Sequence, residues 1–485
     1  MNRLRRLLAW LEDRTGIWHA LGPIAKHIVP RTGWAYVFGS ATLVAFLIQV
    51  VTGIVLATVY VPSADQAYSS LEFITNRATL GRVIRGMHSF GASAMVVLIG
   101  IHAVRVFLMG AFKFPREMNW LIGAGLLLLT LLIAFTGQML RWDQNAIWTV
   151  VVAAEMAGRA PFIGTAIARF LFGGDFLGGA TLSRFFAVHV FVLPALIFLF
   201  VGFHLFLVIR NGISEPPRVG EPVDPATYRQ RYHALLRREG VPFWPNAAWR
   251  DVVFATFVVT AIVALAVILG PPALSKPPDP TIIDAYPAPD WYFLFYFSIL
   301  AMMPHWAESY LMIGGPILLV GVLIAIPLLF NRGERSARRR PWAVGAVGFT
   351  VLALTILTIA AYQSHWVPDF GVKPLPPRLI GTTDGPVYHG AQVFYAKGCL
   401  YCHRIEDHGG HRGPALTTIA DRLTPREMTI RIMNGGYNMP AFAGNLTPSE
   451  MDALLEFLRS RTSTGAHRAA APPSMGTDTA TAPAR

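Results

Sequence analysis

The 485-residue chain is 53% hydrophobic and only 14% charged, with 31 Phe and 12 Trp. No soluble domain of that length can hide so much apolar surface, so the composition excludes a soluble globular enzyme and points to a polytopic membrane protein. The formal net charge of +13 collects in alternate loops and is not the footprint of a nucleic-acid binder.

In chain order, residues 1–33 open with MNRLRRLLAWLEDR, which sets Leu4, Leu7, Leu8 and Leu11 on one helical face among arginines. This reads as a helix at a membrane interface, with no cleavable signal peptide. Seven windows then have the length and apolarity to cross a bilayer: approximately 34–60, 83–109, 119–140, 185–210, 252–270, 310–330 and 341–361. Two shorter apolar runs, 147–156 and 291–303, are predicted to lie on or dip into one face. Segments 1–33, 110–118, 211–250 and 331–341 carry 19 Lys and Arg, whereas 61–83, 141–184 and 271–309 carry 7. The positive-inside rule predicts a cytoplasmic N-terminus and, after seven crossings, an outer location for everything beyond residue 362.

The second span holds His88 and His102, and the fourth holds His189 and His204. An ionisable side chain at that depth is costly and marks a functional site by default. At ~1.5 Å per residue, separations of 14 and 15 residues place each pair about 21–22 Å apart along its helix. Fourteen residues return to within about 40° of the same face, fifteen to within about 60°. The two spans run parallel, so outer His88 faces His189 and inner His102 faces His204. Each facing pair can grip one haem iron from both sides, giving two non-covalent, bis-histidine b haems. Gly39 and Gly53 in the first span, and Gly123 and Gly137 in the third, repeat the 14-residue stride. A flat macrocycle against a helix needs a missing side chain there; ordinary small-residue packing is the alternative for the glycines alone. Arg85 and Arg184 flank the outer pair, Arg105 and Arg210 the inner one. They are placed to neutralise haem propionates or, equally, to snorkel.

Beyond the last span, residues 363–384 are Pro- and Gly-rich and read as a tether. Residues 385–461 read as a small soluble domain and 462–485 as a disordered tail. The only two cysteines, Cys399 and Cys402, precede His403. C-x-x-C-H is the attachment signature of a covalent c haem, with the histidine on the iron. A redox pair or half a zinc site is the alternative, but there is no second cysteine pair to support it. Met439, in NGGYNMPAF, is the expected second axial ligand, and Met/His ligation raises the iron's potential. Met428, Met433 and Met451 sit in helix-like patterns and read as core.

Residues 30–362 resemble the cytochrome b of quinol:cytochrome c oxidoreductases, the bc and bf complexes. The resemblance is carried by VIRGMHSFGASAMV, FKFPREMNW, TGQMLRWDQ, ATLSRFFAVHVFVLP, IRNGISEPP and PDWY. The longer His189–His204 spacing and the three spans after the haem-bearing four look like the bf branch, with its two parts joined here. CxxCH, GPAL and PSEMDALLEFLRS make residues 385–461 similar to class I cytochromes c.

The resemblance implies an all-α polytopic protein. Residues 34–215 would form a four-helix di-haem bundle and 216–362 a three-helix part carrying the PDWY loop, followed by the small α-helical cytochrome c domain. It implies that Asp290, where the family usually has Glu, takes a proton from quinol at the outer face, with Tyr292 as a second polar contact. A helix cap is the alternative for Asp290. Some bf-type cytochromes carry an extra haem on a cysteine whose matching position here is Val37.

The chain has no Cys/His pattern for an iron–sulfur cluster, so a separate Rieske protein is expected. Other expected partners are the membrane quinone pool as substrate, a downstream cytochrome c or oxidase, and a second copy in a homodimer within a larger complex. The expected setting is a bacterial cytoplasmic membrane, with proton translocation across it. The rival reading, a di-haem anchor of another quinone-linked oxidoreductase, explains the four histidines. It leaves PDWY, the paired glycines and the fused c domain unexplained.

Overall fold

The computed structural model describes residues 2–16, 19, 22–23, 25–174, 177–279, 289–363, 369, 371–435, 439 and 441–463. It contains two compact units, one built on Met1–Pro278 with Pro287–Ala361 and a second that includes Tyr362–Arg485.

In the first unit seven helices are long and apolar enough to cross a membrane. They are Phe38–Ala57, Gly81–Leu108, Glu117–Met139, Gly179–Asn211, Phe243–Ile268, Ser309–Leu329 and Pro341–Tyr362, here called the first to seventh spans. Each overlaps its sequence window. Their outward faces stay apolar, with Leu199, Ile268 and Phe349 exposed, because the neighbour of a spanning helix is lipid. Inside, Ala41, Ala45 and Phe46 of the first span pack with Met95 and Leu98 of the second, Ile197 of the fourth, and Val258 and Ile262 of the fifth. The two short apolar runs form helices Gln144–Gly158 and Trp291–Met302. The N-terminal helix Asn2–Thr15 leaves Leu4, Leu7, Leu8 and Leu11 exposed.

The fourth span is not uniform. Val188–Val192 forms a π-helical turn in which the Leu193 N–H reaches back to Val188 O. Pro194 follows and has no N–H to give, which removes one ordinary i→i−4 bond and favours the wider turn. A π-turn absorbs one extra residue, so the 15-residue interval from His189 to His204 keeps the phase of a 14-residue one. The 60° offset expected from a regular helix therefore does not arise.

The sixth span carries Pro316 and Pro327 in its interior. Each proline leaves the carbonyl four residues earlier, Met312 and Leu323, without its helical donor. In lipid an unpaired carbonyl costs several kcal/mol. Both are filled from elsewhere. The Tyr296 hydroxyl, on the Trp291–Met302 helix, sits 3.0 Å from Met312 O and 2.8 Å from Leu311 O. The Trp120 indole Nε1, on the third span, donates to Leu323 O at 2.7 Å.

Several loop cations also bond main-chain carbonyls. Lys113 Nζ donates to Phe330 O and Arg332 O, each at 2.5 Å, and burial lowers its pKa to about 8. Arg340 Nη2 donates to Phe107 O and Leu108 O, the last carbonyls of the second span, where a cation suits the helix dipole. Arg335 pairs with Glu215 and Ser214. All three cations are only 4% exposed. Part of the basic bias counted in the sequence is thus structural.

In the second unit, helices Gly385–Ala396 and Pro448–Arg459 cross where Gly390 meets Ala453 O; a Cβ at Gly390 would lie 2.0 Å from that oxygen. Phe394 and Phe457 pack beside the crossing, their ring centroids 5.5 Å apart and their planes tilted by 50°. Thr424 with Glu427, and Thr447 with Glu450, form capping boxes that start the last two helices.

The expected tether needs correction. Leu375, Leu379 and Ile380 are buried in this core, and Arg461 donates to Leu379 O and Ile380 O at 2.5 and 3.0 Å. Three apolar side chains among prolines were enough to dock residues 375–380 onto the domain. Residues 364–368 and 370 of the tether, and 464–485 of the tail, lie outside the described residues.

Candidate functional site

The four intramembrane histidines and the four glycines meet in pairs. A Cβ added at Gly53 would lie 3.2 Å from the His88 ring, at Gly39 3.0 Å from His102, at Gly137 2.6 Å from His189 and at Gly123 3.6 Å from His204. The shared stride therefore gives each imidazole a helix face without a side chain. The His88 and His189 ring centroids are 6.3 Å apart, with planes inclined at 74°. A first-row metal bonds imidazole nitrogen at about 2.0–2.1 Å, so two such bonds in line plus the ring radii span roughly 6 Å.

Hydrogen bonds fix which ring nitrogen is bare. Thr52 Oγ1 donates to Ile48 O at 2.6 Å and so accepts the Nδ1–H of His88 at 2.9 Å. Thr136 Oγ1 likewise donates to Ile133 O at 3.0 Å, and His189 Nδ1 lies 3.1 Å from that hydroxyl and 3.0 Å from Ile133 O. Both rings therefore present Nε2 as the metal-binding atom. Each threonine directly precedes its glycine, a Thr–Gly pair in the first and third spans that composition and spacing did not flag. At the other end, Asn119 Nδ2 donates to His204 O at 3.3 Å, and His204 Nδ1 is buried without a partner.

The arginines separate. Arg85 is buried and donates to Thr75 Oγ1 at 2.8 Å and Pro272 O at 2.9 Å. Arg184 donates to Phe170 O at 3.0 Å, and Arg210 lines a surface cavity with His27, Arg229 and His233. Arg105 differs: its guanidinium lies 3.5 Å over the Tyr36 ring, with Nε and Nη2 buried and unpartnered. It is the arginine of the four whose buried donors await an acceptor.

Asp290 stands at the start of the Trp291–Met302 helix, but its side chain makes no capping bond. The cap reading fails there. Asp290 Oδ2 instead accepts the Tyr292 hydroxyl at 2.7 Å, and its own N–H donates to Gln138 Oε1 at 3.3 Å. Burial, and then the Asp290 charge, push the Tyr292 pKa well above the usual phenol range. That keeps its proton available for donation. Gln138, the residue after the glycine that meets His189, was not singled out from sequence; only its contact with Asp290 reveals it.

In the second unit Cys399 and Cys402 form one helical turn, with His403 directly after it. His403 Nδ1 donates to Pro414 O at 2.9 Å, which again leaves Nε2 bare. A Cβ at Gly413 would fall 2.6 Å from that ring. Burial, and then the neighbouring Cys402, push the Cys399 thiol up to about 12, and burial lowers His403. Met439 and Cys399 pack against the same core cluster, in which Met428 and Met451 are buried. Gly436, Tyr437, Asn438 and Pro440, which surround Met439, lie outside the described residues.

Comparison with known proteins agrees with this anatomy. Three family models match in succession: "Cytochrome b(N-terminal)/b6/petB" over residues 93–277, "Cytochrome b(C-terminal)/b6/petD" over 277–369, and "Cytochrome C oxidase, cbb3-type, subunit III" over 387–458. The menaquinol:cytochrome c reductase cytochrome b subunit of Bacillus subtilis is 37% identical over 222 residues, covering 44% of this chain and 99% of that protein. Cytochrome b6 of Heliomicrobium gestii is 40% identical over 212 residues, 43% of this chain and all of its own length. A solved structure described as "Hyperthermophilic respiratory Complex III" aligns with TM-score 0.63 and 25% identity, over 73% of this chain and 91% of its own.

Such domains imply haem b and haem c, and the residues present fit both. Glycine clefts, bare Nε2 atoms and two buried, unpartnered Arg105 nitrogens suit the first, and a half-buried Cys–Cys–His turn suits the second. The chain belongs to the cytochrome b family, an oxidoreductase subunit whose N-terminal and C-terminal parts are joined in one polypeptide and followed by a cytochrome c domain.

Proposed function

We propose that the chain is the cytochrome b and c subunit of a Rieske-type quinol:cytochrome c oxidoreductase in a bacterial cytoplasmic membrane. Quinol is oxidised at the outer face beside Asp290. One electron leaves through a partner Rieske protein toward the c domain, the other crosses the membrane, and protons are released outside. The observation that supports this most directly is Gln138: its side chain touches Asp290 while its neighbour Gly137 abuts His189. A proton acceptor and one histidine pair thus share one end of the bundle.

The bound haems supply one-electron transfer; the rest is the work of side chains. His88 with His189, and His102 with His204, would hold two b haems, and Thr52 and Thr136 orient the rings of the first pair. Arg105 would neutralise a propionate at the inner pair. Cys399 and Cys402 would tether the c haem, with His403 and Met439 as its iron ligands. Asp290 accepts a quinol hydroxyl proton through the carboxylate oxygen that Tyr292 does not occupy, and Tyr292 keeps that carboxylate turned toward the substrate.

A pyridine haemochrome assay of the purified chain is expected to return two b haems and one c haem. A quinol pulse given to the complete complex is expected to reduce b and c haems with one rate constant, and removal of the Rieske protein to stop both. Reduction of b haems alone, undisturbed by that removal, would support the di-haem anchor instead.

A further inference from the structure

Tyr296 lies four residues after Tyr292, so the two project from the same face of the Trp291–Met302 helix, one turn apart. Tyr292 holds Asp290. Tyr296 reaches the other way, into a notch in the sixth span made by Gly315 and Pro316. A Cβ at Gly315 would lie 3.2 Å from the Tyr296 hydroxyl, so the missing side chain admits the phenol. Pro316 leaves Met312 O without its helical donor, and the same hydroxyl shares its one hydrogen between Leu311 O at 2.8 Å and Met312 O at 3.0 Å. Ser298 adds a bond to Leu357 O of the seventh span at 2.7 Å.

A helix tied at one point can still turn about its own axis. The bond from Tyr296 lies on the face that carries Tyr292, so it sets that rotation. We propose that Tyr296 is a positioning residue for quinol oxidation: docked in the Gly315–Pro316 notch, it fixes the direction in which the Tyr292-bound Asp290 carboxylate points. The inference rests on the reading of Asp290 as proton acceptor. The Tyr296 hydroxyl is spent on main-chain carbonyls of the sixth span. Its effect passes through the helix, and misplacement of a reacting group by about 1 Å costs up to 10²-fold in rate.

The test uses the full chain in its native membrane complex. Tyr296→Phe is expected to lower quinol oxidation about tenfold or more, with b and c haem spectra unchanged. Tyr296→Phe combined with Pro316→Ala then separates the two roles of the hydroxyl. The second substitution returns a backbone N–H to Met312 O, so thermal stability is expected to recover while the rate does not. Recovery of the rate together with stability would reduce Tyr296 to a carbonyl plug and overturn the proposal.

A double-mutant cycle with Asp290→Asn supplies the second readout. Two residues acting on one proton transfer are expected to be strongly non-additive, and full additivity would overturn the proposal as well. Unchanged turnover in Tyr296→Phe, beside a slow Asp290→Asn, removes this inference alone. Unchanged turnover in Asp290→Asn removes the proton-acceptor reading and this inference with it.

Discussion

Asp290→Asn is expected to slow quinol oxidation by about 10²–10⁴-fold, the range over which a positioned general base contributes. The amide keeps the size of the carboxyl and can still accept the Tyr292 hydroxyl, so the fold and the haem spectra should not change. What it loses is the capacity to take a proton. The side chain is free for that task, because it makes no capping bond to its own helix and one of its oxygens already carries the Tyr292 hydroxyl. Stopped-flow reduction of the b haems by quinol gives the rate, and optical spectra of the dithionite-reduced complex give the control. Wild-type kinetics in the Asn variant would move the proton acceptor elsewhere.

His189→Leu is expected to remove one b haem and halt quinol oxidation, leaving the c haem in place. The haemochrome ratio should fall from two b per c to one. Leucine fills comparable volume, so the bundle should still assemble, but the 6.3 Å span between the His88 and His189 rings would lose one of its two nitrogen donors. His102 and His204 belong to the other end and meet Gly39 and Gly123, so their haem should be retained. Under the proposed function the c haem would be tethered in the second unit by Cys399 and Cys402, which makes it the internal standard. Loss of both b haems would show that the two pairs fold as one cooperative site, contrary to the separation described here.

Much of this architecture was legible in the sequence because it rests on strong, local signals. A run of about 20 apolar residues has few alternatives to a span, and Cys399–Cys402–His403 is specific at the level of five residues. The histidine pairing followed from the repeat at 3.6 residues per turn, and the glycines followed from the same stride.

What escaped depends on contacts between segments distant in the chain. Nothing near Gln138 announces Asp290, and nothing near Trp120 announces Pro327. Tyr296 reads as one more aromatic in WYFLFYF until Pro316 is seen to lack a donor. Arg85 is a similar case. Its guanidinium bonds Pro272 O in the loop after the fifth span, a partner that nothing near His88 announces. Residues 375–380 of the expected tether dock because Leu375, Leu379 and Ile380 find an apolar core distant in the chain, which their proline-rich surroundings do not announce.

The wider turn at Val188–Val192 has a consequence for how such chains are compared. Counting letters between two imidazoles of one helix is an unsafe ruler, since one surplus amino acid can be stowed in a bulge without changing where either ring points. Two homologues whose counts differ by one can therefore present the same pair of binding stations at the same depth. In this span, the short segment Val188–Val192 is where one extra residue is held.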